Sequence, residues 1–324
     1  MHKSILLLSM TKHLTWTLLL FAGICCSFSL NFENATPNPV DIGKKLFFDK
    51  LLSADQSLSC ETCHQQAFAF SDTSAFSKGV DGKIGTRNTP SVMNMSARPY
   101  FFYDGRSPSL EDQVFHPIRN PIEMNLSVVD AVQRVRKNPE YIRLFKKVFR
   151  HKPDSILIGK ALAAYIRSLE SPGNSSSDIW LNTPGSQALD ASQIRGRFIF
   201  MNKGKCFDCH FSPDFTGDEF RNIGTYNGKN LNDVGRFAIT KNDADLGKFK
   251  VPGLRNILVT GPYMHNGMFK TLREVVDFYD NPDLFVPDAI NKDSLVMKPL
   301  ALSETEKVDL VHFLEALTDK AYIK

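Results

Sequence analysis

Residues 59–70 read SCETCHQQAFAF, with Cys60 and Cys63 two residues apart and His64 directly after them. Cysteines at this spacing serve a zinc site, a disulfide or redox pair, or a covalently attached haem. The rest of the chain decides among the three.

Six cysteines are present, and Cys25 and Cys26 fall in an N-terminal leader. The other four form the pairs Cys60/Cys63 and Cys206/Cys209. Each pair is followed at once by histidine, the second motif reading KCFDCH at 205–210. A redox CxxC normally comes once, near a βαβ pattern, and calls for no histidine. Zinc would require the two distant pairs to converge, leaving His64 and His210 as surplus ligands. Attachment of c-type haem uses all six residues: the thiols add to the vinyl groups, and the adjacent histidine coordinates iron on the proximal side. Two covalent haems are therefore expected.

The leader fits export. Lys12 and His13 precede the apolar run LTWTLLLFAGICC (14–26), and small residues follow at Ser27 and Ser29. That is the pattern of a cleaved signal covering 1–29, and the run is shorter than the roughly 20 residues of a membrane span. Ile24 is bulky where a lipoprotein box needs a small residue. A periplasmic protein is expected. The 324 residues suffice for two domains, and 42% hydrophobic with 23% charged residues is a globular composition. Net charge is +4, with Lys3 and Lys12 in the leader, and no basic run invites nucleic acid.

The surroundings of the two motifs repeat. A helical, aromatic-rich stretch precedes each, DIGKKLFFDK (41–50) and QIRGRFIFMNK (193–203). An amphipathic helix closes each half. The first is DSILIGKALAAYIRSLESPG (154–173), with apolar residues at 158, 162, 165, 166 and 169 and a Pro-Gly stop. The second is SETEKVDLVHFLEALT (303–318), with a Ser303/Glu306 capping box and a buried stripe of Val308, Leu310, Val311, Leu314 and Leu317. Opening helix, CxxCH and closing helix make the plan of a small cytochrome c, present twice. SPGNSSSD (171–178) reads as linker. The expected fold is all-α, with two cytochrome c-like domains at 30–180 and 181–324.

The succession LSCETCH (58–64), TRNTPSVMN (86–94), YFFYDGRSPSLEDQ (100–113), PIEM (121–124), KCFDCH (205–210), KVPGLRN (250–256) and TGPYMHNGMFKTLREVVDFY (260–279) resembles the bacterial dihaem cytochrome c peroxidases, and within them the MauG-type branch. The resemblance implies one haem per domain and a peroxidase activity at the N-terminal haem. It implies hydrogen peroxide as oxidant and a small electron donor of cytochrome c or cupredoxin type, and it leaves a homodimer open. Ordinary members cap the first iron with a histidine from the loop after the first motif. Here that loop (65–90) has no histidine, and no methionine appears before Met93. A five-coordinate resting iron follows, with His116 read as a surface or structural residue.

Glu123 matches the family's distal glutamate, the group that moves a proton between the peroxide oxygens as their bond breaks. A raised pKa is expected for it in an apolar pocket. Gln113 matches the neighbouring glutamine. Tyr279 matches the second iron's ligand opposite His210, with Met264 and Met268 as rivals; a phenolate favours ferric and higher iron. Tyr103 stands where the family places a tryptophan between the haems, and tyrosine must lose a proton to relay an electron. Asn88 and the carbonyls of Lys250 and Pro252 match a calcium site of oxygen ligands and waters. His265 matches a histidine beside the second haem, either packing or functional. Two rival readings are a pure electron-transfer cytochrome and a MauG-like oxidase of a protein side chain.

Overall fold

The computed structural model describes residues 37–323, so the expected export signal at 1–29 lies outside the described residues. Helix α1 (Pro39–Phe48) starts at a reciprocal cap. Asn38 Oδ1 accepts the amides of Val40 (2.7 Å) and Asp41 (3.3 Å), and Asp41 returns its carboxylate to the Asn38 amide (2.8 Å). Pro39 fits the first turn because its missing N–H has no partner there anyway. The chain continues through α2 (Cys60–Cys63), α3 (Leu110–Gln113), α4 (Phe115–Arg119), α5 (Val128–Lys137), α6 (Pro139–Phe149) and α7 (Ser155–Arg167). The second half holds α8 (Ser176–Asn182), α9 (Ala191–Met201), α10 (Phe237–Thr240), α11 (Leu272–Asp280) and α12 (Glu304–Glu315). Among the described residues strand is confined to an antiparallel pair, β1 (Phe220–Arg221) and β2 (Phe249–Lys250), in register Phe220↔Lys250.

Each half is organised by one helix crossing, and the two crossings are copies. α1 packs on α7 and α9 on α12. At the first, a Cβ on Gly43 would stand 1.9 Å from the Ala161 carbonyl oxygen and 2.8 Å from Tyr165 Cβ; at the second, one on Gly196 would stand 1.9 Å from the Asp309 oxygen and 2.8 Å from Phe313 Cβ. Backbones meet this closely only because glycine has no side chain. Around the crossings lie two hydrophobic cores. One joins Ile42, Leu46 and Phe47 to Ile158, Leu162 and Ile166; the other joins Ile199 and Phe200 to Leu310, Phe313 and Leu314.

The duplication extends to the loops. Asn94 donates its amide to Leu169 O (2.8 Å) and accepts the Ser171 amide at Oδ1 (2.8 Å). Asn256 does the same with Leu317 O (3.1 Å) and the Asp319 amide (2.8 Å).

Three expectations need correction. α7 ends at Arg167, ahead of Pro172-Gly173, where Ser168 Oγ donates to the Tyr165 carbonyl (2.6 Å) and the Leu169 amide turns back only three residues, onto Ile166 O (3.1 Å). In α12, Val308 is 42% exposed and Asp309 is buried in its place. The contact at Gly196 centres the buried face on Asp309, Leu310, Phe313 and Leu314, and Arg195 (2.7 Å) and Ser192 (2.5 Å) compensate the buried carboxylate. The serine-rich stretch is no free tether: Ser175, Ser177 and Asp178 are buried, and Asp178 pairs with Arg255 (2.9 and 3.0 Å).

Ion pairs tie the halves together. Arg87 grips Asp233 with Nε (2.7 Å) and Nη2 (2.8 Å) and Asp104 with Nη1 (2.6 Å). Arg98 pairs with Asp214 and Asp218. Such partly buried bidentate pairs fix orientation more than they add net stability. Both cores belong to one compact body, Pro37–Lys324.

Candidate functional site

The first motif is set on a single helical turn, its Ser59 amide donating to Thr62 Oγ1 (3.0 Å). His64 follows as the C-cap, and its Nδ1–H donates to the Phe70 carbonyl (3.0 Å), which Phe70 presents from a left-handed conformation (φ 57). The second motif repeats this: His210 Nδ1–H donates to Phe215 O (2.8 Å), with Phe215 at φ 56. A donating Nδ1 leaves Nε2 with its lone pair, the tautomer that binds metal. Burial pushes both imidazoles below their ordinary pKa and so holds them neutral. All four cysteines are free, and burial drives their thiols up, to about 12 for Cys60, Cys206 and Cys209 and about 11 for Cys63. Among the described residues no three His, Cys, Asp or Glu side chains converge as a metal cage.

Beside the first motif opens a cavity of about 1030 Å³, lined by Cys60, Cys63, His64, Asn88, Tyr103, Gln113, Glu123, Lys250, Pro252 and Met264, among others. Its size is at the upper end of the roughly 300–1,000 Å³ typical of ligand and cofactor pockets, and two free thiols and a lone-pair Nε2 line it, which fits a covalently held haem. Cys206, Cys209, His210 and Tyr279 lie outside that lining, in the second half. Tyr279 is nonetheless near its own motif: burial first, then the Cys209 and Cys206 thiols, drive its phenol far above the ordinary range. Met264 lines the first cavity, and Met268 packs on the second core.

Glu123 sits in the loop after α4. Asn120 Nδ2 donates to its Oε1 (2.6 Å), and the Arg106 charge reaches it. Burial outweighs both and raises the carboxyl above its usual range. It is close enough to the first motif for its charge to act on the Cys63 thiol. Gln113 ends α3, whose cap is Ser109 Oγ accepting the Asp112 amide (3.2 Å). His116 also lines the cavity, but Nε2–H donates to Asp112 Oδ2 (3.1 Å) and Arg119 Nη2 donates toward Nδ1 (3.3 Å). Met93 is held from behind, its sulfur accepting Tyr322 Oη (3.5 Å) and Asn256 Nδ2 (3.8 Å).

A feature the linear reading missed explains why the halves differ. Segments 100–110 and 262–272 share one conformation. Phe101 N–H donates to Ser107 O (2.9 Å) as Tyr263 N–H does to Phe269 O (2.7 Å); Phe102 and Met264 are left-handed (φ 68 and 72). Each segment ends at a helix cap, Ser109 or Thr271. Eight residues past the cap stands Tyr279 in one half and Pro117 in the other. Pro117 lines the cavity and offers no ligating side-chain atom. Aligning the two segments by their N-caps would have found it.

Tyr103 reaches across the halves. Its ring stands 6.5 Å from His265, edge-on, and its carbonyl accepts the Lys250 amide (2.7 Å). Burial lifts its phenol well above the ordinary range. His265 stacks on Phe249 (3.7 Å), and burial drives its pKa down to about 4. Asn88 donates Nδ2 to Ser74 O (3.1 Å) and Ala75 O (3.4 Å), and among the described residues no donor approaches its Oδ1. That oxygen suits a hard cation. Lys250 directs its ammonium to Asp218 (3.4 Å), and the Pro252 carbonyl is close enough to act on the His210 ring.

The family model for di-haem cytochrome c peroxidases matches residues 37–185. The chain is 38% identical over 284 residues to the methylamine utilization protein MauG of Methylorubrum extorquens, covering 87% of this chain and 78% of that protein. To the cytochrome c551 peroxidase of Nitrosomonas europaea it is 36% identical over 275 residues, covering 83% and 80%. The crystal structure of a MauG-like protein associated with microbial copper homeostasis superposes with a TM-score of 0.80 at 31% identity, covering 89% of this chain and 92% of that one. With two CxxCH motifs on one duplicated helical frame, the chain is an oxidoreductase that belongs to the di-haem cytochrome c peroxidase family.

Proposed function

We propose that the protein is a periplasmic peroxidase that reduces hydrogen peroxide to two waters, taking up two electrons from a small redox protein and two protons. The observation that supports this most directly is the contrast between halves: a cavity-lining Pro117 where the other half carries Tyr279. Cys60, Cys63 and His64 would hold the first haem, whose iron supplies the redox chemistry. Cys206, Cys209, His210 and Tyr279 would hold the second, one haem to each side of about residue 180. In the first cavity Glu123 takes a proton from one peroxide oxygen and returns it to the other. Gln113 orients the oxidant, and Asn120 keeps the carboxylate aimed. Tyr103 lies between the halves as the relay residue. Among the described residues no helix is long and apolar enough to cross a membrane.

Mixing the ferric protein with peroxide in a stopped-flow spectrometer tests the proposal. A rapid spectral change without prior reduction is expected; indifference in both ferric and half-reduced states would leave an electron carrier. The oxidised protein should show one high-spin and one low-spin haem. Tyr279→Phe should alter only the low-spin signal, and an unchanged spectrum would hand that role to Met268 or Met264. The 38% identity to MauG favours, as second reading, oxidation of a protein side chain; a mass change in a partner protein after peroxide treatment would show it.

Asn88 Oδ1 and the Lys250 and Pro252 carbonyls would clasp calcium at the contact between halves. Chelation should then perturb both haem spectra, and added calcium should restore them. Spectra indifferent to both treatments would remove calcium from the proposal.

A further inference from the structure

Residues 78–84 form a small hairpin against the cavity. Lys78 bridges Ile84, the Gly79 amide donates to Lys83 O (2.7 Å), and the turn is made at Asp81 (φ 57) and Gly82 (φ 71). Two positive φ values in succession suit an Asp-Gly pair, since both tolerate the left-handed region. The hairpin base is anchored by Ser77 Oγ, which bonds Asp72 Oδ2 (2.5 Å) and Thr89 Oγ1 (2.7 Å).

What the hairpin touches is the main chain that carries Glu123. The Val80 amide donates to the Glu123 carbonyl (2.8 Å), and Lys83 Nζ donates to the Pro121 carbonyl (3.1 Å). A Cβ on Gly79 would lie 2.0 Å from the Ile122 oxygen and 2.7 Å from the Glu123 oxygen, so any side chain there forces the two segments apart. From the other side, Asn120 accepts the Ile122 amide (3.1 Å) and donates to the Glu123 carboxylate (2.6 Å). The hairpin thus holds the Glu123 carbonyl, while Asn120 holds its amide (3.0 Å) and its carboxylate.

We propose that the 78–84 hairpin positions Glu123, and that Gly79 is the residue that lets it dock. Resting on the assignment of Glu123 as proton carrier, this makes Gly79 a positioning residue rather than a catalytic one. A displacement of about 1 Å in a catalytic group can cost about 10²-fold in rate. Gly79→Ala in the full haem-loaded chain should therefore slow the ferric protein's reaction with peroxide by about that factor. Two further readouts separate this from a structural lesion. The Val80 amide should lose its protection in hydrogen exchange, and the acid limb of the pH–rate profile should move as the setting of Glu123 changes.

The double variant Gly79→Ala/Glu123→Gln decides the route. Acting through Glu123, Gly79→Ala should add no loss to Glu123→Gln. Losses that multiply, or a Gly79→Ala protein with unchanged rate and Val80 protection, would overturn the positioning role while Glu123 keeps its own. A Glu123→Gln protein as fast as wild type would instead sink the proton-carrier assignment, and the positioning role with it. Should Gly79→Ala fail to take up haem, Lys83→Met serves, since from a side chain 42% exposed it removes the bond to Pro121 and, besides that, a solvent-exposed ion pair with Asp81 (3.6 Å). A smaller slowing with the same pH shift is then expected, and an unmoved pH profile would overturn the inference.

Discussion

Glu123→Gln is expected to slow the reaction of the ferric protein with peroxide by about 10²–10⁴-fold, the usual contribution of a positioned proton-transfer group. Glutamine keeps the volume, and its side-chain oxygen can still accept the 2.6 Å bond from Asn120, but it cannot take up and return a proton. Haem attachment and the second haem's spectrum should be untouched, because the Glu123 carboxylate is bonded by Asn120 and, among the described residues, not by Cys60, Cys63 or Tyr279. The pH profile gives an independent check. Glu123 must be ionised to accept the proton, and burial holds its pKa above the usual carboxylate range. The wild-type rate should therefore climb as pH rises through that raised pKa, and the limb should vanish in the glutamine variant. Equal rates in the two proteins would leave the enzyme class intact and remove Glu123 from the chemistry.

Gly196→Ala should be the most damaging single methyl in the second half. In an unpacked helix the change would stabilise by about 1 kcal/mol, since alanine is the better helix former. Here the new Cβ would stand 1.9 Å from Asp309 O and 2.6 Å from Asp309 C, backbone atoms that cannot rotate away. α9 and α12 must separate, loosening Phe200, Leu310 and Phe313 together. Overpacking of this kind costs about 3 kcal/mol, a large share of the roughly 5–15 kcal/mol that holds a domain folded. Urea unfolding of the holo protein reads the sign directly. A lowered midpoint is expected, with the second haem's spectrum responding first, and a raised midpoint would mean the helices are not in contact there. Gly43→Ala should repeat the result in the first half, against Ala161 and Tyr165.

Much of this protein could be read without its coordinates. The covalent chemistry of Cys60-x-x-Cys63-His64 and Cys206-x-x-Cys209-His210 depends on residues adjacent in the chain. Helix starts were legible for the same reason: the Ser303/Glu306 box, found in α12, is a bond over three residues. Helix faces were less so. Val308 and Asp309 exchanged places between surface and core because α12 meets α9 through the bare backbone of Gly196, and only the crossing decides which side faces in. The serine-rich stretch at 171–178 had the composition of a tether, yet Asp178 is drawn into the fold by Arg255, far along the chain. At the site, sequence could nominate Glu123. Asn120 aims it from three residues away within the same turn, whereas the Arg106 charge and the hairpin docking through Gly79 come from other loops that only folding brings to it. Covalent attachment and local capping are short-range and survive in a linear reading. Burial, helix register and the convergence of polar groups depend on long-range packing, which the tertiary structure alone decides.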